Sequence, residues 1–338
     1  MWHMIGHQKV TRSIEQAFER GRLAGAYLIV GPPNVGKTTL AIDIACAVNC
    51  LESGPEPCGV CSQCRRILNA LHPDIALIEV ESGKRLVTVA QIDELLHSLS
   101  LRPFEGRCRV AVVPEADRMN QESANALLKT LEEPTADTVL ILCATDAEAM
   151  LPTIRSRCQT VTLQPVPINL LAEALEQQAD VTPERAQAAA AFSQGRPGLA
   201  LRALQDPTLM EAVVADLGLL RRALGESTAG RIAVTGELAG GTANAAQRDA
   251  VLRTLENWVQ WWRDAMLHAG GSDGPYTHPL ELPHYRATAD LGATTLRNAL
   301  GATQTAMRRV EQNANPRLVL DVLLVGYPRL RALANAVA

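Results

Sequence analysis

The sequence predicts an α/β domain built on a doubly wound parallel sheet, followed by two helical segments. Five short, nearly continuous apolar runs occupy the first half, at Tyr27–Val30, Ile75–Glu79, Arg109–Val113, Thr138–Ala144 and Thr160–Leu163. Such runs mark strands covered on both faces. Helical periodicity fills the intervals, as at Lys37–Cys50 and Ser123–Leu131, and strands alternating with helices build parallel sheets. After Gln164-Pro165-Val166-Pro167 the strand signal fades. Ile168–Leu204 is Ala-rich and helical, broken by Gly195-Arg196-Pro197-Gly198. From Gln205 onward the pattern is helical again, with a loop expected at Gly270–Pro283.

Composition sets the outer limits. The 338 residues predict two or three domains at roughly 100–200 residues each. With 47% hydrophobic and 20% charged residues, a soluble globular chain is expected and a disordered one excluded. No apolar run approaches the roughly 18 residues of a membrane span, and MWHMIGHQKV lacks the basic and apolar regions of an export signal. The net charge of −4 argues against a generic basic coat for nucleic acid. No internal repeat stands out. Of the cations only Lys9, Lys37, Lys84 and Lys129 are lysines; Lys9 and Lys84 have no evident chemical task.

Lys37 has one. Gly31-Pro-Pro-Asn-Val-Gly36-Lys37-Thr38 matches G-x-x-x-x-G-K-[ST] between an apolar strand and a helix. There the glycines let the backbone curl so that N–H groups and the helix N-terminus surround phosphates. Gly31, Asn34, Val35, Gly36, Lys37, Thr38 and Thr39 are the expected nucleotide-binding residues, for ATP or ADP. Lys37 reaches the β- and γ-phosphates, and the Thr38 hydroxyl serves Mg²⁺.

The eight cysteines are unevenly placed. Cys50-x₇-Cys58-x₂-Cys61-x₂-Cys64 supplies four thiolates at a spacing suited to one structural, tetrahedral Zn²⁺. Gly54, Pro55, Pro57 and Gly59 permit the turns between them. Cys46, Cys108, Cys143 and Cys158 are scattered. Without an export signal, the cluster points to metal rather than disulfides and to a cytoplasmic location. Trp258, Trp261 and Trp262, with Leu255, Ala265 and Met266, line a helix and are expected in a core. Lys129 is expected to pair with Glu132 or Glu133 on a solvated helix face.

The block RVAVVPEADRMNQESANALLKTLEEP at Arg109–Pro134 and the block TVLILCATDAEAMLPTIRSRC at Thr138–Cys158 carry a family resemblance. With the phosphate loop, the cysteine insertion and His72-Pro73-Asp74, they resemble the bacterial DNA polymerase III clamp-loader family, most closely its delta-prime branch. NALLKTLEEP and Ser156-Arg157-Cys158 are its specific strings. The resemblance is strong over about residues 1–205 and looser beyond, through Asn313–Leu324.

That resemblance implies an AAA+ P-loop sheet domain with the zinc insertion (1–165), a small helical lid (166–205) and a helical collar for oligomerisation (206–338). It implies a hetero-pentamer with gamma/tau and delta subunits that loads the sliding clamp onto primed DNA, with no membrane partner. It assigns Arg157 as an arginine finger acting in trans on a neighbour's γ-phosphate, a task suited to a planar, permanent cation. The acidic pair of an active site falls on Pro114-Glu115, with Asp117 off register. Glu115 remains as a catalytic candidate, Thr145 takes the sensor-1 place, and the expected sensor-2 arginine is Gly198, two residues after Arg196. The combination implies nucleotide binding with weak or absent hydrolysis. The alternatives are the gamma/tau motor type, against which Pro114 and Gly198 speak, and an unrelated P-loop ATPase.

Overall fold

The computed structural model describes residues 1–330 other than 53, 82, 83, 85, 134, 136, 180, 242, 243, 273, 275, 279 and 280. Pro134 of NALLKTLEEP, parts of the expected Gly270–Pro283 loop and the last residues of the expected collar therefore lie outside the described residues. The chain divides into two compact units, Met1–Val181 with Gly195–Leu199, and Thr182–Gln194 with Ala200–Ala338.

The first unit runs α1 (Gln8–Glu19), β1 (Ala26–Val30), α2 (Lys37–Asn49), α3 (Ser62–Leu68), β2 (Ile75–Leu77), α4 (Val89–Ser100) and β3 (Arg109–Val113). It continues with α5 (Gln121–Ala126), α6 (Leu128–Glu132), β4 (Thr138–Ala144), α7 (Pro152–Arg155), β5 (Gln159–Thr162) and α8 (Ile168–Ala179). The five strands form one sheet in the order β2-β3-β4-β1-β5, and every pairing is parallel. This is the expected α/β fold. Alternate residues feed two cores, because successive side chains on a strand face opposite ways. Tyr27, Ile29, Val112 and Ile141 pack with Leu40 and Ile44 of α2 and Ile67 of α3. Leu28, Val113, Leu140 and Leu142 pack with Ile92 and Leu95 of α4 and Leu131 of α6.

Departures from the expected elements have local causes. β2 and β5 are edge strands with partly exposed residues. β2 stops at Leu77 rather than Glu79, although Ile78 N–H still donates to Val112 O at 2.9 Å. β5 begins and ends one residue earlier than expected, with Leu163 N–H bonded to Val30 O at 2.8 Å. The single helix expected at 123–131 is two, because the Leu127 N–H turns onto Asn125 O and interrupts the ladder. Glu132 does not pair with Lys129 but with Arg157, at 2.6 Å. Lys84 bonds to Glu81 at 2.7 Å.

The second unit holds α9 (Pro183–Phe192), all but the first residues of α10 (Pro197–Gln205), and α11 (Thr208–Gly225), α12 (Thr228–Ala239) and α13 (Ala245–Ala269). α14 (Leu282–Thr288), α15 (Gly292–Glu311) and α16 (Pro316–Gly326) complete it. Pro283 lies in the first turn of α14 rather than in the preceding loop, a position where its missing N–H costs nothing. Trp258, Trp261 and Trp262 are wholly buried; Trp261 meets Tyr285 and Trp262 meets Tyr327 edge-on, while Trp258 lies tilted against Tyr327, so the expected core role holds. Trp258 Nε1 donates to Asp216 O at 2.9 Å and Trp261 Nε1 to Glu281 Oε2 at 3.0 Å. Among the described residues no helix is long and apolar enough to cross a membrane.

Arg231 closes this unit. Its side chain is buried, yet its hydrogen-bond acceptors are all main-chain carbonyls: Ala223 O at 3.0 Å, Leu324 O at 2.9 Å, Tyr327 O at 2.6 Å, Pro328 O at 3.0 Å and Val325 O at 3.3 Å. The last turn of a helix leaves carbonyls without intrahelical donors, and a cation there also complements the helix dipole. Replacing Arg231 with leucine should destabilise the unit by roughly 3 kcal/mol, since buried acceptors are left unpaired. Urea unfolding followed by tryptophan fluorescence checks this, because three of the four tryptophans lie in this core. An unchanged midpoint would refute it.

Candidate functional site

The phosphate loop leaves β1 at Gly31 and enters α2 at Lys37. At Gly31 the main chain passes so near Leu163 O that any Cβ would collide with it. Gly36 has φ +108°, which a side chain would strain. Val35 is wholly buried in the core, so its contribution to a ligand is limited to its backbone. Lys37 is also buried; its Nζ donates to Gly31 O at 2.6 Å and Pro32 O at 3.0 Å. Burial lowers the Lys37 pKa from its ordinary value, opposed by the nearby Cys143, Asp117 and Glu115. Asn34, Gly36, Lys37, Thr38 and Thr39 line a cavity of about 730 Å³.

The opposite wall comes from the ends of β3 and β4, and also includes Gly198. Pro114, Glu115, Asp117, Arg118 and Thr145 face the same cavity. A 3₁₀ turn at Ala116–Arg118 curls the chain back, so that Asp117 Oδ2 accepts from Thr145 N at 2.9 Å and from Thr145 Oγ1 at 2.5 Å. Asp117 thus belongs to the site although it is off register in the sequence. Glu115 Oε1 lies 3.4 Å from Arg118 Nε. Gly198 N–H donates to Asn34 O at 2.9 Å, and a Cβ there would stand 3.1 Å from that oxygen. The glycine therefore lets the start of α10 rest on the phosphate loop. These residues fit a magnesium ion poorly: proline occupies the end of β3, Glu115 faces a guanidinium, and Asp117 is turned to Thr145.

Arg157 lies just past α7. Its Nη2 bonds to Glu132 Oε1 at 2.6 Å and its Nη1 donates to Thr153 O at 3.0 Å. About a third of the side chain remains exposed, with relative accessibility 34%.

The four cysteines come together as expected. The Sγ atoms of Cys50, Cys58, Cys61 and Cys64 lie within 4.8 Å of one another. Backbone N–H groups point at three of them: Cys58 N at Cys50 Sγ (3.4 Å), Cys61 N at Cys58 Sγ (3.3 Å) and Cys64 N at Cys61 Sγ (3.4 Å). Tetrahedral zinc–sulfur bonds of about 2.3 Å require sulfurs about 3.8 Å apart, so a small contraction would close the site. The cluster has the donors to hold a metal ion.

Residues 6–167 match the family model described as DNA polymerase III, delta subunit. The chain is 36% identical over 179 residues to DNA polymerase III subunit delta' of Bacillus subtilis, covering 53% of this chain and 54% of that protein. Over residues 6–167 the chain is similar to DNA polymerase III clamp-loader subunits. It is also 32% identical over 197 residues to subunit delta' of Haemophilus influenzae, covering 58% of this chain and 60% of that protein. Against subunit tau of Escherichia coli it is 35% identical over 175 residues, covering 51% of this chain and 27% of that protein. The clamp-loader match thus spans little more than half the length of these delta' relatives.

His72-Pro73-Asp74 acts in the fold rather than at the cavity. The buried Asp74 accepts from Phe104 N (2.7 Å), Glu105 N (2.9 Å) and Gly106 N (2.8 Å), with Arg109 at 3.5 Å. Burial pushes its pKa up, but these donors and the guanidinium outweigh burial and hold it below the ordinary value. The stability it contributes is full above the ordinary carboxylate pKa of about 3.9 and is lost as pH falls through its lower folded value. The gap in unfolding free energy between this chain and Asp74→Asn should therefore narrow below about pH 4. A gap that stayed constant into strong acid would refute this.

Proposed function

We propose that the chain is a stationary clamp-loader subunit of delta-prime type, which lends Arg157 to a neighbour's ATP site and hydrolyses little or no ATP itself. The carrying observation is the asymmetry of the cavity: an intact phosphate loop faces Pro114 where an acidic pair would need a carboxylate, with Glu115 alone left of that pair. A gamma/tau motor needs a carboxylate where Pro114 stands. In this reading the phosphate loop holds ATP or ADP through backbone N–H groups, Lys37 and Thr38, with Thr145 on the far wall.

The surroundings follow the same reading. The sheet domain (1–165), lid (166–205) and collar (206–338) act within a cytoplasmic hetero-pentamer with gamma/tau and delta subunits, which loads the sliding clamp onto primed DNA. The acidic net charge of −4 suits a chain whose main partners are other subunits. Arg157 acts in trans, where a planar fork binds phosphate oxygens. The cysteine cluster holds a structural zinc.

Two measurements test these roles. In a reconstituted complex, Arg157→Ala should lower hydrolysis at the adjoining site by on the order of 10³ while this chain's own unfolding midpoint is unchanged. Undiminished hydrolysis at that site refutes the finger. Elemental analysis of the purified chain should find close to one zinc per chain, abolished in Cys50→Ser/Cys64→Ser; a metal-free chain refutes the zinc reading.

A further inference from the structure

The cavity's charged wall carries one arrangement that nucleotide binding alone does not explain. In an ordinary P-loop site a lysine reaches the phosphates, while magnesium is held by the loop's Ser/Thr and by an aspartate from a neighbouring strand end. Here the strand end offers Pro114, which removes one negative charge, and the next turn adds Arg118, one positive charge, to the same lining. The same turn also contributes Asp117, one negative charge, so the wall is one charge unit more positive than the ordinary arrangement, half of what a divalent cation brings. The remaining oxygens do not replace the missing ligand. Magnesium requires a near-octahedral oxygen shell, usually with one or two carboxylates. Asp117 is held through Oδ2 by Thr145 N and Oγ1, and Glu115 alone remains of the usual acidic pair.

We propose that this chain binds the polyphosphate of a nucleotide without a divalent cation, with Arg118 supplying part of the charge that magnesium supplies elsewhere. This rests on the nucleotide-binding reading above. Arg118 is about half exposed, at 52%, so its guanidinium is free to exchange the single carboxylate of Glu115 for phosphate oxygens. A planar guanidinium binds phosphate through two parallel hydrogen bonds, which a point charge cannot reproduce. The arrangement also keeps Glu115 from gaining a metal-activated water, since no ligand set holds the metal beside it.

Isothermal titration of the full chain with ADP and with ATP, in excess magnesium and in EDTA, decides the matter. The dissociation constants in the two buffers should agree within about fivefold, or about 1 kcal/mol. Arg118→Gln should weaken binding roughly tenfold in both buffers, and Arg118→Lys by less, as expected for loss of a charge-assisted phosphate contact. Pro114→Asp, which restores a carboxylate at the strand end, should make binding depend on magnesium. A loss of fivefold or more in EDTA by the unaltered chain overturns the proposal. So does unweakened binding by Arg118→Gln, or indifference to magnesium in Pro114→Asp. In those cases nucleotide binding itself stands. If the unaltered chain binds neither nucleotide in either buffer, the nucleotide reading falls and this inference falls with it.

Discussion

β1 lies between two strands that run the same way, and the position of every group in the cavity follows from that pairing. Its register sets Val30 against Ala144 of β4 and Thr162 of β5, while Val113 of β3 stands against Leu142. Because the strands are parallel, their carboxyl ends share one edge. Gly31, Pro114 and Thr145, each the next residue after its strand, therefore emerge together at that edge. An antiparallel neighbour would send one of these walls to the opposite end of the sheet. β1 itself is buried at all five positions, so the edge rests on a strand with both faces covered.

The parts of the site that were legible in the sequence are those whose geometry is local. The phosphate loop announces itself through two glycines, a lysine and a threonine at fixed spacing. The cysteine cluster does so through two overlapping C-x-x-C units. Arg118 and Asp117 gave no such signal. They sit on a single 3₁₀ turn, too short for periodicity, and counting along the strand puts Asp117 out of step. Only the fold shows that the turn carries it back to Thr145, 28 positions later in the chain. The pairing of Glu132 with Arg157 was hidden for the same reason. Lys129 was the nearer partner by helical spacing, but a guanidinium 25 positions away reaches the carboxylate across α6 and α7. The five strands were all foreseen, and the errors fell at element boundaries, at the edge strands, at Leu127 and at Pro283, where one or two residues decide the end.

The second unit illustrates a different limit. Its tryptophans were recognisable as core residues because they recur on one helical face. The buried polar groups that secure its loops were not. Asp264 accepts from Thr277 N at 2.6 Å and His278 N at 3.2 Å, which ties α13 to the segment before α14. Asp216 gathers Thr254, Asn257 and Trp258. Neither aspartate has a sequence signature, since each acts on main chain or side chains far along the chain. Asp264 is buried and Asp216 half-buried, each with hydrogen bonds made, the condition under which a polar group belongs in a core at all.

Arg231 adds a dimension of time to that picture. Its acceptors Leu324, Tyr327 and Pro328 lie 93, 96 and 97 positions further along the chain. Contacts of such separation form late, because the loop they close must first lose its freedom. Until the end of α16 arrives, the guanidinium has only Ala223 O among its acceptors. During synthesis the earlier helices of this unit are therefore made long before the polypeptide that completes the shell around Arg231.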